Sequence, residues 1–298
     1  IILLGTGASL AVSRIAAPIW RRASPGGVEV LVRQSTEAAL GNLDGLQFNS
    51  TDAVVAISQS GSSPETLSAA RLARRTGASV LALTADPDSA LASSATLSVP
   101  LASGREAGAA TKSAMASLAA LLGVAGSLRC DEAEISELRD GLVGVIAAWG
   151  EASGPGRRLA GARHPWMLGF GAAEGIAAAA SLLWHEKVVR PATAATPSEF
   201  RHGLIEAVRR DDVVVLFAMP GGDAAEARYL GRLRAELGAL EVDLVELRSM
   251  AGDAGRAALE LLLRIQQLAR AAVLAAGTYR DEFAILRHVV KPADDLLA

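Results

Sequence analysis

Twice in this chain an aspartate leads an apolar run that stops at a glycine: DAVVAISQSG at 52–61 and DVVVLFAMPG at 212–221. An apolar run closed by Gly reads as a buried strand that turns sharply into the next element, and strands buried on both faces belong to parallel sheets covered by helices. The rest of the chain alternates in the same sense. Ile1–Leu4, Val28–Val32, Ala53–Ile57 and Ser79–Leu83 read as strands. Helical patterns run from beyond Gly5 through Trp20, and over Thr66–Thr76, Thr111–Leu128, Asp131–Trp149 and about Gly255–Ala276, the last stopped by Gly277. The expected class is α/β, with doubly wound parallel sheets.

The layout repeats. Trp166–Leu168 leads into Gly169-Phe170-Gly171 as Leu3–Leu4 leads into Gly5-Thr6-Gly7. Ser198-Glu199 then follows Gly169 at about the distance at which Ser35-Thr36-Glu37 follows Gly5. Between the copies, GEASGPGRRLAG at 150–161 carries the Gly, Ser and Pro of a linker. The expected organisation is two similar domains, residues 1–153 and 154–298, the second ending in a long helix and a tail.

Composition narrows the partners. A chain of 298 residues that is 51% hydrophobic can bury a large core, and a net charge of −3 with no Lys/Arg run argues against nucleic acid and acidic membrane surfaces. The apolar stretches are Ala-rich and broken by polar residues, which suits buried helices better than membrane spans. Cys130 is the single cysteine, so no internal disulfide forms, and no secretory signal is visible; a cytoplasmic protein is expected. The opening IILLGTG has no Met and already reads as a buried strand, so preceding sequence is expected.

Where the first of the two runs ends, the chain places ISQSGSSPET, residues 57–66. Ser63 suits an N-cap with Pro64 in the first helical position; Ser62 and Glu65 offer a second, capping-box register. A helix N-terminus flanked by Ser58, Gln59, Ser60 and Ser63 offers neutral donors to a small phosphate; an ordinary polar turn is the alternative. Other motifs fail. The dinucleotide fingerprint needs glycine at 10, where Leu10 stands, and a zinc-protease helix through His185-Glu186 needs His at 189, where Val189 stands. No cofactor or metal is expected.

The SQSG corner, Gly5-Thr6-Gly7, Ala109-Ala110-Thr111-Lys112-Ser113 and Glu199-Phe200-Arg201-His202-Gly203 occur in the order seen in the sugar isomerase (SIS) domain family. The chain resembles a double-SIS protein: two flavodoxin-like domains in tandem, as in the isomerase part of glucosamine-6-phosphate synthase and the SIS-type deaminases and deglycases. That resemblance implies that Ser58, Gln59, Ser60 and Ser63, with the backbone of Gly5 and Thr6, hold the phosphate of a sugar, and that Ala110 and Lys112 line the sugar. Local pairing is the alternative for Lys112. It places the enolisation base at Glu186 and the ring-opening histidine at His202, and it implies a homodimer with the site shared between subunits.

Both residues also have a reading of their own. Ala172–Val189 is a helix apolar nearly all round, so a Glu near its end is desolvated and its pKa raised; pairing with Arg190 is the alternative. A buried structural role is the alternative for His202.

The pattern breaks in places. Ser63 replaces Thr, Gly7 replaces Ser and Leu204 replaces Pro, while Ala179, Leu183 and His185 replace an acid and two lysines before Glu186. His288 stands where the synthase has its Schiff-base lysine, with Lys291 three residues on; His288 is either a ring-opening or proton-moving group or an ordinary tail residue. The glutaminase part is not among these residues, so transfer of glutamine nitrogen is not expected of them. The expected function is isomerisation or deamination of an amino-sugar phosphate through an enolamine or enediol. The alternatives are a fructosamine-phosphate deglycase and a non-catalytic sugar-phosphate-binding regulator.

Overall fold

A computed structural model describes the chain except residues 25, 27, 127, 129, 130, 284 and 286–298, and describes residues 149–153 by backbone alone. Cys130, His288 and Lys291 therefore lie outside the described residues. The chain divides into two compact units, chiefly Ile1–Ser127 and Leu128–Asp281.

The first unit is a five-stranded parallel sheet in the order β2-β1-β3-β4-β5, with β1 Ile2–Gly5, β2 Leu31–Gln34, β3 Ala53–Ile57, β4 Ser79–Thr84 and β5 Leu97–Pro100. Its helices are α1 Ala8–Ala23, α2 Ser35–Ala39, α3 Pro64–Arg75, α4 Ala90–Ser94 and α5 Lys112–Val124. α1 packs with α5, and α2 and α4 pack with α3. Right-handed crossovers that leave β1 towards β2 and β3 towards β4 put these two groups on opposite faces. The α3 face buries Ile2, Leu4, Val54, Ala56, Val80 and Ala82 against Ala69, Ala70 and Ala73. Alternate strand residues therefore meet a small-residue helix stripe at close range.

The second unit is a four-stranded parallel sheet in the order β7-β6-β8-β9, with β6 Pro165–Gly169, β7 Thr193–Ala195, β8 Val213–Ala218 and β9 Asp243–Arg248. α8 Ala172–Leu183 packs with α11 Ala254–Ala276, which also carries α6 Glu132–Ala147 and α7 Trp149–Gly161. The other face is covered by α9 Pro197–Arg201 and α10 Ala224–Ala239: Phe200, Leu230, Leu233 and Leu237 pack on Trp166, Leu168, Val214 and Leu216. The α/β class with parallel sheets is as expected.

The expected linker at 150–161 is instead the helix α7. Gly156 explains the difference, because a Cβ there would lie 2.3 Å from Ala271 Cβ. The glycine is a close-packing contact with α11, not a loop residue.

The two units repeat one local device. Gly7 and Gly171 precede α1 and α8 with φ/ψ of 57/−125° and 57/−122°. The strand-terminal glycines before them sit under the first helical turn: a Cβ on Gly5 would lie 2.6 Å from the Ser9 carbonyl carbon, and one on Gly169 would lie 2.3 Å from the Ala173 oxygen. Both helices thus start tight against the strand ends. Because these clashes are with backbone, Gly5→Ala and Gly169→Ala each cost about 2 kcal/mol or more. The expected outcome is a melting temperature lowered by several degrees for each variant by calorimetry.

Candidate active site

In a doubly wound sheet the loops leave in opposite directions where the strand order reverses, and a crevice opens at the carboxyl ends of the two strands. In the first unit that point lies between β1 and β3. Gly5, Thr6 and Gly7 follow β1, and Ser58–Ser63 follow β3, so the topology brings the two predicted phosphate segments to one crevice.

The corner is held from below. Gly61 has φ +62°, and a Cβ there would lie 2.1 Å from Ser89 Oγ. The Gly61 carbonyl accepts from Leu91 N at 3.0 Å, and the Gln59 carbonyl accepts from Ala85 N at 2.9 Å. These bonds tie the loop to its neighbours through the backbone and leave its side chains for other uses.

Ser63 is the N-cap of α3 and Pro64 begins the helix, as the sequence predicts, but the Ser63 side chain makes no cap bond. Its hydroxyl pairs instead with that of buried Ser58 at 3.0 Å, and Ser62 Oγ pairs with Ser60 Oγ at 2.9 Å. The first turn of α3 therefore keeps its N–H groups clear of any side-chain cap. Thr6 Oγ1 is buried with no hydrogen-bond partner among the described residues. An unbonded buried hydroxyl and an uncapped helix start in one crevice suit an anion with several acceptor oxygens.

The equivalent corner of the second unit is built differently. Asp223 caps α10, its carboxylate accepting from Ala225 N and Glu226 N at 2.8 Å each. Phe170, in the loop after β6, stacks edge-on against Tyr229 at 5.5 Å. A carboxylate already occupies that helix start, so it does not offer the same site for a phosphate.

At α5 the start is also taken. The Glu106 carboxylate accepts from Thr111 Oγ1 and Ser113 N at 2.8 Å and from Lys112 N at 3.3 Å. Burial alone would raise this carboxyl, but the bonds from Ser113 and Thr111 hold it below the usual range. Lys112 Nζ turns back to the Arg105 carbonyl, the local pairing rather than a reach outward. Sequence reasoning singled out Ala110 and Lys112 and missed Glu106. A capping acid normally stands at the N-cap, but this one comes from five residues before Thr111.

In the second unit, Glu186 lies in a π-turn, Trp184–Val188, that continues α8. Among the described residues nothing hydrogen-bonds its carboxylate, and Arg190 donates to the Ala160 carbonyl instead of pairing with it. Burial pushes the Glu186 carboxyl up to about 7, with Lys187 pulling weakly the other way. His202 is the C-cap residue of α9 and is exposed. Its flanks are pinned. Thr196 and Glu199 form a capping box, Phe200 packs edge-on to Trp166 at 5.5 Å, and Arg201 grips Glu236 with bonds of 2.7 and 2.6 Å while lying over Tyr229. Glu186 and His202 belong to helices on opposite faces of the second sheet. Among the described residues no group of three His, Cys, Asp or Glu is placed to hold a metal, and no helix is long and apolar enough to cross a membrane.

Residues 1–125 match the family model of the SIS domain. No curated protein sequence matches the chain significantly. Solved structures share its fold at low identity. The C-terminal domain of glucosamine-fructose-6-phosphate aminotransferase from Francisella tularensis has a TM-score of 0.80 and 20% identity, over 94% of this chain and 86% of that one. Tagatose-6-phosphate ketose/aldose isomerase from Escherichia coli has a TM-score of 0.80 and 21% identity, over 94% and 83%. Glucosamine-6-phosphate deaminase from Thermotoga maritima has a TM-score of 0.76 and 20% identity, over 95% and 88%.

The environment of Glu186 has a consequence for stability. A carboxyl that titrates at about 7 when folded, against an ordinary 4.5, holds its proton more tightly in the folded state. Its contribution is fully present below about pH 4.5 and is lost as pH rises to about 7, on the order of 3 kcal/mol in all. Glu186→Gln lacks that loss. Urea unfolding should find the variant more stable than wild type at pH 8 and equal to it at pH 4.

Proposed function

We propose that this chain is an enzyme that binds a small sugar phosphate and moves a proton between C1 and C2 of the open-chain sugar. The observation that carries the chemistry is Glu186: a carboxyl with no hydrogen-bond partner among the described residues, pushed up to about 7, is suited to take a proton from carbon and return it. The SIS match of residues 1–125 supports the phosphate anchor at Thr6 and Ser58–Ser63, and the solved structures with the same fold include proteins named for sugar-phosphate isomerisation and deamination. We read the second unit, with its repeated glycine device, as a second SIS domain.

The steps balance as follows. A histidine, His202 or His288, passes the proton that opens the sugar ring. The Glu186 carboxylate removes the C2 proton of the aldose, leaving an enediol, and returns it to C1 as the O2 proton moves to O1; the product is the ketose. Where C2 carries an amine, the same transfer through an enolamine gives an imine at C2, which water hydrolyses to the ketose and ammonia.

The resemblance to double-SIS proteins supports a homodimer that shares the site between subunits, and the placement of α8 and α9 on opposite faces of one sheet fits a Glu186 and a His202 drawn from two copies of the chain.

A second reading, a sugar-phosphate-binding regulator, is favoured by α8 itself: one and two turns before Glu186, Leu182, Leu183, Ala178 and Ala179 offer a sugar no polar side chain. Proton NMR of glucosamine 6-phosphate and fructose 6-phosphate in D₂O separates the two. The enzyme exchanges the C1 or C2 proton, faster as pH rises towards a plateau above about 7, and Glu186→Gln loses at least 100-fold of that rate. Phosphate-dependent binding of both sugars with no exchange in either would favour the regulator. In a second experiment, Ser58→Ala/Ser63→Ala raises KM by about tenfold or more with a smaller change in kcat, because two hydrogen bonds to a charged group are lost.

A further inference from the structure

Glu186 is not carried by a regular helix. Past Leu183 the backbone takes one residue more per circuit, and the turn closes with Val189 N donating to the Trp184 carbonyl at 3.0 Å. Such turns inside helices are rare and gather at functional sites. Val189, which closes this one, is left-handed, with φ 58° and ψ 44°. For a β-branched residue that conformation is strained and persists only where the surroundings impose it. The Val189 side chain is 43% exposed, so its own packing does not impose it.

What imposes it lies on either side. Arg190 is tied to the Ala160 carbonyl. Ala192 is fastened once to α8 and once to the π-turn itself: buried Ser181 Oγ donates to the Ala192 carbonyl at 2.9 Å, and Ala192 N donates to His185 Nε2 at 3.4 Å. The His185 ring is oriented by Nδ1 donating to the Ser181 carbonyl at 2.7 Å. Ser181 and His185 stand one helical turn apart, so both hold the same residue to the same helix face. Residues 186–191 thereby form a closed loop.

We propose that Ser181 and His185 are positioning residues for Glu186: by pinning Ala192 to the end of α8 and to the turn that follows it, they hold Val189 left-handed and so maintain the π-turn that aims the Glu186 carboxylate. Without the pins, Val189 relaxes to negative φ, the Trp184–Val189 bond opens and Glu186 returns to water. Glycine accepts the left-handed conformation without strain, so Val189→Gly makes the pins unnecessary. The role of these residues in turnover rests on reading Glu186 as the base, but their effect on its environment does not.

The test is a carbon NMR titration of protein labelled at its glutamate carboxyl carbons, the Glu186 signal being the one absent from Glu186→Gln. The midpoint expected in wild type is about 7. In Ser181→Ala/His185→Ala it falls by about one pH unit or more towards the ordinary value, and adding Val189→Gly restores it. Ser181→Ala alone shows a smaller fall with the same rescue, and serves if the double variant does not fold. A merely structural role lowers the melting temperature without moving the midpoint. An unmoved midpoint in a folded variant, or a fall that Val189→Gly does not repair, overturns the proposal. Deuterium exchange into fructose 6-phosphate, measured on the same proteins, falls in kcat rather than KM and recovers with the rescue. Exchange that persists in Glu186→Gln would overturn the reading of Glu186 as base while leaving the titration result intact.

Discussion

The end of β3 is where the first unit commits its geometry. The chain must leave a buried strand, turn, and start a helix on the α3 face, while the neighbouring β1 sends its own helix to the opposite face. That divergence opens a crevice, and Gly61, pressed on Ser89 where no Cβ fits, sets the path of the turn. With the backbone carbonyls of the loop tied to Ala85 and Leu91, the serine hydroxyls bond within the loop itself, Ser58 to Ser63 and Ser62 to Ser60. The site follows from the sheet topology, and its polar character follows from where the backbone bonds go.

The helix starts in the two units differ in what answers their exposed N–H groups. At α5, α10 and α11 a carboxylate of the chain (Glu106, Asp223 and Asp253) already answers the exposed N–H groups. At α3 the cap residue turns its hydroxyl to Ser58 instead. A helix start that binds its own acid is stabilised but closed. The α3 start gives up that stabilisation, as do α1 and α8, which begin at Gly7 and Gly171 with no side-chain cap; α3 differs from them in the serine hydroxyls gathered beside it.

Much of this was legible in the sequence, because strand-closing glycines and a Ser-Pro helix start are local signals with local causes. The parallel sheets, the start of α3 and the stop at Gly277 fell where these signals put them, and the partial burial of Glu186 followed from the apolar helix before it. What was not legible depends on partners distant in sequence. Gly156 looks like a loop residue until Ala271 is seen against it. Glu106 looks like a loop charge until α5 turns its N–H groups towards it. The π-turn has no signature at all, since Val189 is a poor choice for a left-handed residue and is held there by Ala192, Ser181 and His185. The faces of the second sheet that separate Glu186 from His202 emerge only from strand order.

The central claim is that the crevice between β1 and β3 receives the phosphate of a sugar. Amide chemical shifts measure it directly, in ¹⁵N-labelled protein titrated with fructose 6-phosphate and separately with fructose. The account predicts saturable shifts at Thr6, at Ser60–Ser63 and in the first turn of α3 with the phosphorylated sugar, and none there with fructose. Shifts centred on the loop after β8, or equal responses to both sugars, would contradict it.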